Sequence, residues 1–331
     1  MAFNLIGKSL ISDHNWSTEE VRHVLNMSHD LKKAKYAGID HKSQKLNKSI
    51  AVIMQKDSTR TRSAFETAAF DLGLNVTYIG PQGSQIGKKE SMEDTAKVLG
   101  RFYDGIAFRG SAQSDIDTLA EHAGVPIWNG LSDQWHPTQM YADYLTVLEN
   151  FGRTDVKFVY YGDARNNMGN SLAIFTAHMG GHFVAAAPKE LWPEAEVITI
   201  AKEIAKHTGA TIEFTEDPIA AAKDADVIYT DVWVSMGEAD SVWEERIKQL
   251  KPYQVNSEIM AQAQPRAIFL HCLPAFHDTK TVIGQEIKEK FGLDSMEVTD
   301  EVFRSKQSKV FDQAENRAHS IKAIMLSTLG Y

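Results

Sequence analysis

The chain has 331 residues, 43% of them apolar and 24% charged, and carries a formal net charge of −9. Its length exceeds what one hydrophobic core usually supports, so two domains are expected, and the acidic balance argues against a nucleic-acid surface, which needs clustered excess Lys and Arg. A single cysteine, Cys272, excludes an intrachain disulfide and any CxxC metal knuckle.

The first eight residues lack a signal-peptide pattern and no run approaches bilayer length, so the cytoplasm is the default location, with no membrane partner. The apolar run at 50–54 (IAVIM) has the character of a strand buried on both faces. A helix begins near Ser58, and its first turn holds Ser58, Thr59, Arg60, Thr61 and Arg62. Helix starts leave N–H groups unpaired and gather partial positive charge, so hydroxyls and guanidinium forks there suit phosphate oxygens. The same residues would also serve as an ordinary Ser N-cap with two solvated arginines.

Further strand signals lie at 76–79, 106–108 and 126–128, then at 156–161, 182–187, 211–214, 227–229 and 267–270, with helix-like stretches such as 91–99 and 115–123 between them. This alternation predicts an α/β protein of two doubly wound domains, each with a central parallel sheet, joined by interdomain helices. A helical segment at 141–150 runs into FGRTD at 151–155, where the domain junction is placed. Near the end, Phe311, Ala314, Ala318, Ile321 and Ile324 keep helical spacing on one apolar face, marking a closing helix that could pack on either domain.

Ligands of such sheets bind beyond the carboxyl ends of the strands, and polar clusters fall there. Arg109 ends one strand signal and would be a second cation for a phosphate dianion. His136 precedes Pro137, so it lies in an extended or turn segment, where it would polarise a carbonyl oxygen beside the donor and acceptor of Gln139. The run at 162–170 (GDARNNMGN) does not match GxGxxG; its adjacent asparagines Asn166 and Asn167 suit a zwitterionic small molecule or a turn. Asp231 and Ser235 offer a carboxylate and a hydroxyl to an ammonium group, with Gly237 permitting loop closure. His271, Cys272 and His277 invite a metal reading, but the first two are adjacent and a fourth ligand is not evident; a buried inert thiol suits Cys272 better, and no metal is expected. Pro274 holds the Leu273 carbonyl in a fixed geometry.

In this order, DSTRTR (57–62), HPTQ (136–139), DARNN (163–167), DVWVSMGE (231–238) and HCLPAFHD (271–278) resemble the motif set of the ornithine carbamoyltransferases. The likeness runs from about residue 50 to the carboxy terminus and includes SQIGKKES (84–91) and FDQAENR (311–317). The resemblance implies transfer of the carbamoyl group of carbamoyl phosphate to the δ-amino group of L-ornithine, giving L-citrulline and phosphate, reversibly and without a cofactor, in arginine metabolism. It implies that Ser58, Thr59, Arg60, Thr61 and Arg109 hold the phosphate, with Gln85 contributed by a neighbouring subunit of a homotrimer or of stacked trimers. Arg109, His136 and Thr61 would polarise the carbamoyl oxygen, while Gln139 and the Leu273 carbonyl receive its amino group. Asn167, Asp231, Ser235 and Met236 would bind the α-amino acid end of ornithine, Cys272 and Asp231 would face its δ-nitrogen, and Arg317 would reach the carbamoyl group. The corresponding domains are 1–148 plus 312–331 for carbamoyl phosphate and 149–311 for ornithine.

Four other readings compete. A putrescine enzyme would share the amine chemistry, whereas an aspartate enzyme would need cations where Asp231, Ser235 and Met236 stand. A nicotinamide oxidoreductase lacks its glycine fingerprint here. A non-catalytic carbamoyl phosphate sensor need not keep His136 and Cys272, which are both present.

Overall fold

The computed structural model describes residues 4–39, 46–82, 84, 86–87, 89–234 and 241–330. The chain divides into two compact units, Met1–Thr146 with Ala314–Tyr331, and Val147–Gln313.

In the first unit, β1 (Ser49–Met54), β2 (Asn75–Ile79), β3 (Gly105–Arg109) and β4 (Ile127–Leu131) form an all-parallel sheet in the order β2-β1-β3-β4. In the second, β5 (Lys157–Tyr161), β6 (His182–Ala186), β7 (Thr211–Thr215), β8 (Val227–Thr230) and β9 (Ile268–His271) form another, in the order β7-β6-β5-β8-β9. Every strand signal of the sequence falls on one of these nine. Central strands such as β1 and β8 are buried along nearly their whole length, because helices cover both faces of a parallel sheet; the edge strands β2 and β7 alternate exposed and half-buried residues.

The strand orders fix where ligands can go. In the first sheet the connections diverge between β1 and β3, and in the second between β5 and β8. A crevice opens beyond the carboxyl ends of the strands at such a switch point. Ser58 follows β1 and Arg109 closes β3; 162–167 follow β5 and Asp231 follows β8. Polar segments of each unit therefore sit at its switch point.

Helix limits refine the sequence reading. The stretch at 91–99 is the helix Met92–Phe102, capped by Ser91, and 115–123 is Gln113–His122. The segment at 141–150 begins earlier, as Pro137–Phe151, so His136 immediately precedes it and Gln139 rides its first turn. Pro at the first helical position costs no hydrogen bond, which explains the start.

The closing helix, Val310–Leu329, corrects one expectation. Phe311 is 69% exposed, while Asn316, Arg317 and Ser320 are buried with Ile321 and Ile324. The buried stripe is polar in its first half because those side chains end in hydrogen bonds: Asn316 accepts from Lys32 Nζ at 2.7 Å and donates to Thr146 Oγ1 at 3.0 Å. Among the described residues no helix is long and apolar enough to cross a membrane.

Gly169, in the first turn of the helix Asn167–Met179, approaches the chain so closely that a Cβ there would lie 2.2 Å from the Ala164 carbonyl oxygen. Gly169→Ala is expected to destabilise the second unit by about 1–3 kcal/mol through overpacking, seen as a lower urea midpoint.

Candidate active site

Ser58 caps the helix Thr59–Asp71 from an extended conformation (φ −151°, ψ 114°), its Oγ accepting from the Thr61 N–H at 3.3 Å. That first turn holds no acidic residue, so its positive end is uncompensated from within the helix. The two arginines of the turn part company. Arg62 donates from Nε to Glu66 at 2.9 Å and lies 3.7 Å above the Tyr78 ring, which ties it to the outer surface. Arg60 instead lines a groove of about 420 Å³ with Ser63, Thr67, Ala318 and His319.

Thr61 is buried, and its Oγ1 accepts from Arg109 Nη1 at 3.1 Å and from Arg317 Nη2 at 3.2 Å. Both acceptor positions of the hydroxyl are thereby used, which leaves its O–H as the donor. Gly130 on β4 allows this convergence, since a Cβ there would lie 3.1 Å from Thr61 Cγ2 and 3.5 Å from Arg109 Cβ. Arg317 gives its other Nη1 to Gln139 Oε1 at 2.9 Å, and Gln139 Nε2 donates to Asp143 Oδ1 at 2.7 Å. His136 lies buried nearby; burial, then the charges of Arg317 and Arg109, hold its pKa well below the ordinary 6.5. Its imidazole is therefore neutral at physiological pH and offers a single ring N–H rather than a labile proton.

In the second unit Asn166 caps the helix Asn167–Met179, accepting from Met168 N at 2.9 Å and Gly169 N at 3.0 Å, while Asn167 is its first residue. Of the two asparagines, 166 is thus occupied in shaping the turn. Asp163 is likewise engaged, pairing with Arg246.

Asp231 is almost wholly buried, and its Oδ1 accepts from the Val232 N–H at 2.8 Å and the Cys272 thiol at 3.0 Å. Burial pushes its pKa up, opposed by the nearby His271 and by those two hydrogen bonds. His271 Nδ1 accepts from the Leu273 N–H at 2.9 Å, so the ring proton sits on Nε2, which faces Glu297 Oε1 at 3.2 Å. Glu297 also accepts from the Phe276 N–H at 2.6 Å. The turn so held carries Leu273 at φ +61°, a strained value for a residue with a Cβ, followed by a cis peptide to Pro274.

Potential ligand atoms of Asp231, His271 and Cys272 lie within 4.8 Å of one another, but both His271 nitrogens are committed to Leu273 and Glu297. The third histidine of the metal reading, His277, belongs to a different cluster. It stacks on Phe303 at 3.7 Å and bonds Asp300 at 2.6 Å, and Arg304 donates to Asp300 and Asp278, supplying the cation those carboxylates need. Gln85, Ser235 and Met236 lie outside the described residues.

Sequence reasoning passed over Asp143 and Glu297. Asp143 stands four residues after Gln139, a spacing that pairs side chains on one helix face and was readable. Glu297 carries no such signal; it meets His271 across 26 residues by tertiary folding alone.

The profile described as aspartate/ornithine carbamoyltransferase, carbamoyl-P binding domain, matches residues 8–149, and that of the Asp/Orn binding domain of the same family matches residues 154–328. The chain belongs to the aspartate/ornithine carbamoyltransferase family. It is 55% identical over 329 residues to the catabolic ornithine carbamoyltransferase of Treponema denticola, covering 99% of this chain and 97% of that one. It is 54% identical to the ornithine carbamoyltransferase of Pediococcus pentosaceus over the whole of both chains. Among solved structures, the ornithine carbamoyltransferase of Pyrococcus furiosus superposes with a TM-score of 0.90 at 40% identity, covering 99% of each chain. The anabolic enzyme of Campylobacter jejuni gives 0.83 at 32% identity, covering 96% of this chain and 97% of that one. The family's Asp/Orn profile extends through the closing helix, yet by packing Ala314–Tyr331 belongs to the first unit.

Because the folded Asp231 holds its proton above the ordinary 3.8, the unfolded chain releases that proton first, and ionised Asp231 costs stability as pH rises through its folded value. Asp231→Asn is therefore expected to be at least as stable as the parent at neutral pH, with the difference closing as pH falls toward 4; thermal unfolding across that range checks it.

Proposed function

We propose that the chain is an ornithine carbamoyltransferase, moving the carbamoyl group of carbamoyl phosphate to the δ-amino group of L-ornithine and releasing L-citrulline and phosphate. The observation that carries the chemical reading is the Thr61 hydroxyl, which accepts from Arg109 and Arg317 and so has its O–H left to act as a polarised donor.

The deprotonated δ-amine attacks the carbamoyl carbon, and negative charge develops on the carbamoyl oxygen. Arg109, Thr61 and neutral His136 donate to that oxygen; one preorganised donor of this kind is worth about 3 kcal/mol of barrier. Ser58, Thr59, Arg60 and Arg109 hold the phosphate, which leaves as an anion already neutralised by the helix start. Gln139 Oε1 and the Leu273 carbonyl accept from the carbamoyl amino group, and Arg317 holds Gln139 and Thr61 in place. At the acceptor, Asn167, Asp231, Ser235 and Met236 take the α-amino acid end, while Asp231 and Cys272 face the δ-nitrogen. Desolvated Asp231 suits this role, because a bound ammonium supplies the charge that its surroundings lack. We infer a cytoplasmic homotrimer in which a neighbour's Gln85 completes the phosphate site; the trimer rests on the resemblance of SQIGKKES and is tested by mass measurement in solution.

The deciding assay is citrulline formation from carbamoyl phosphate and ornithine. Robust turnover is expected, and faster carbamoylation of putrescine than of ornithine would overturn the assignment. His136→Ala should lower kcat by about 10²–10³-fold with the fold intact. Arg60→Ala should abolish measurable carbamoyl phosphate binding in calorimetry without changing the circular dichroism spectrum.

A further inference from the structure

We propose that Asp143 is a positioning residue for the carbamoyl end of the donor substrate, acting through the amide of Gln139. The inference rests on the carbamoyltransferase reading above, but the residue belongs to none of the motifs that support it.

Asp143 is fully buried on the helix Pro137–Phe151, and its Oδ1 lies 2.7 Å from Gln139 Nε2. An amide nitrogen only donates, so the carboxyl oxygen is the acceptor and the nitrogen must face it. Gln139 Oε1 is then turned toward Arg317, whose Nη1 donates to it at 2.9 Å. The reversed amide would set Nε2 against a guanidinium donor and Oε1 against a carboxyl oxygen, leaving buried polar groups mismatched at both ends. The series continues through Arg317 Nη2 to Thr61, where Arg109 also ends. Each of these bonds runs from a donor to an acceptor, and Asp143 and Arg317 together set the direction of the Gln139 amide.

The consequence is specific to one part of the substrate. With one lone pair of Gln139 Oε1 occupied by Arg317, the other is left to accept an N–H, and the amino group is the part of carbamoyl phosphate that inorganic phosphate lacks. Removing Asp143 leaves the amide tethered at one end only, so its oxygen is held less firmly toward the amino group. Phosphate oxygens at the turn after Ser58 do not depend on this orientation.

The test compares two ligands on the full-length enzyme. Asp143→Ala is expected to raise KM for carbamoyl phosphate about ten-fold or more, while the inhibition constant for inorganic phosphate stays within about two-fold of the parent. Asp143→Asn, whose amide oxygen still accepts, should stay near the parent in both. Equal losses for the two ligands, or an unchanged KM in the Ala variant, would overturn the proposal. Should the Ala variant not fold, Gln139→Met with Asp143 in place is the second probe: selective loss of carbamoyl phosphate supports the inference and equal loss overturns it. A parent protein that bound phosphate but not carbamoyl phosphate would overturn the underlying reading instead.

Discussion

Two guanidinium groups, from Arg109 and Arg317, end on the single buried hydroxyl of Thr61. Like charges held this close repel, and the hydrogen bond that each makes to the Thr61 oxygen offsets part of that repulsion. The surrounding architecture serves that convergence. The β1–β3 switch point brings Thr61 and Arg109 to one sheet end, Gly130 removes the side chain that would separate them, and the closing helix packs into the first unit to deliver Arg317. Burial, and then the same two charges, depress the pKa of His136 and keep it a neutral donor.

The second unit solves the opposite problem. Its switch point presents a carboxylate, Asp231, desolvated by burial, an effect opposed by nearby His271, a thiol and a backbone N–H. A carboxylate whose pKa is raised by burial costs the folded protein stability once it is ionised. The Leu273 turn is a second strained element, held by His271 and Glu297 behind it. The unit with cationic side chains at its switch point matches the family's carbamoyl phosphate domain, and the one with the carboxylate its aspartate/ornithine domain.

Much of this was legible in the residues. Alternating apolar runs located all nine described strands, because strands buried on both faces read as continuous hydrophobic stretches. Turn and cap residues located the polar clusters at the strand ends. Helical periodicity misjudged the closing helix, where Phe311 is exposed and Asn316 and Arg317 are buried. A buried polar stripe looks like a surface when only hydropathy is counted, since its partners come from elsewhere in the chain.

The sequence by itself determined the sheet class, the family and the polar clusters at the strand ends, because these follow from local pattern and from motifs a few residues long. Only the tertiary structure decided what each group touches. It separated Arg60, beside the groove, from Arg62, stacked on Tyr78; it made Asn166 a cap and Asn167 the first helical residue; and it joined Asp143 to Arg317 and Thr61 through Gln139. The physical reason is that charge, burial and hydrogen-bond direction depend on which distant side chains share a few ångströms of space, and spacing along the chain does not carry that information.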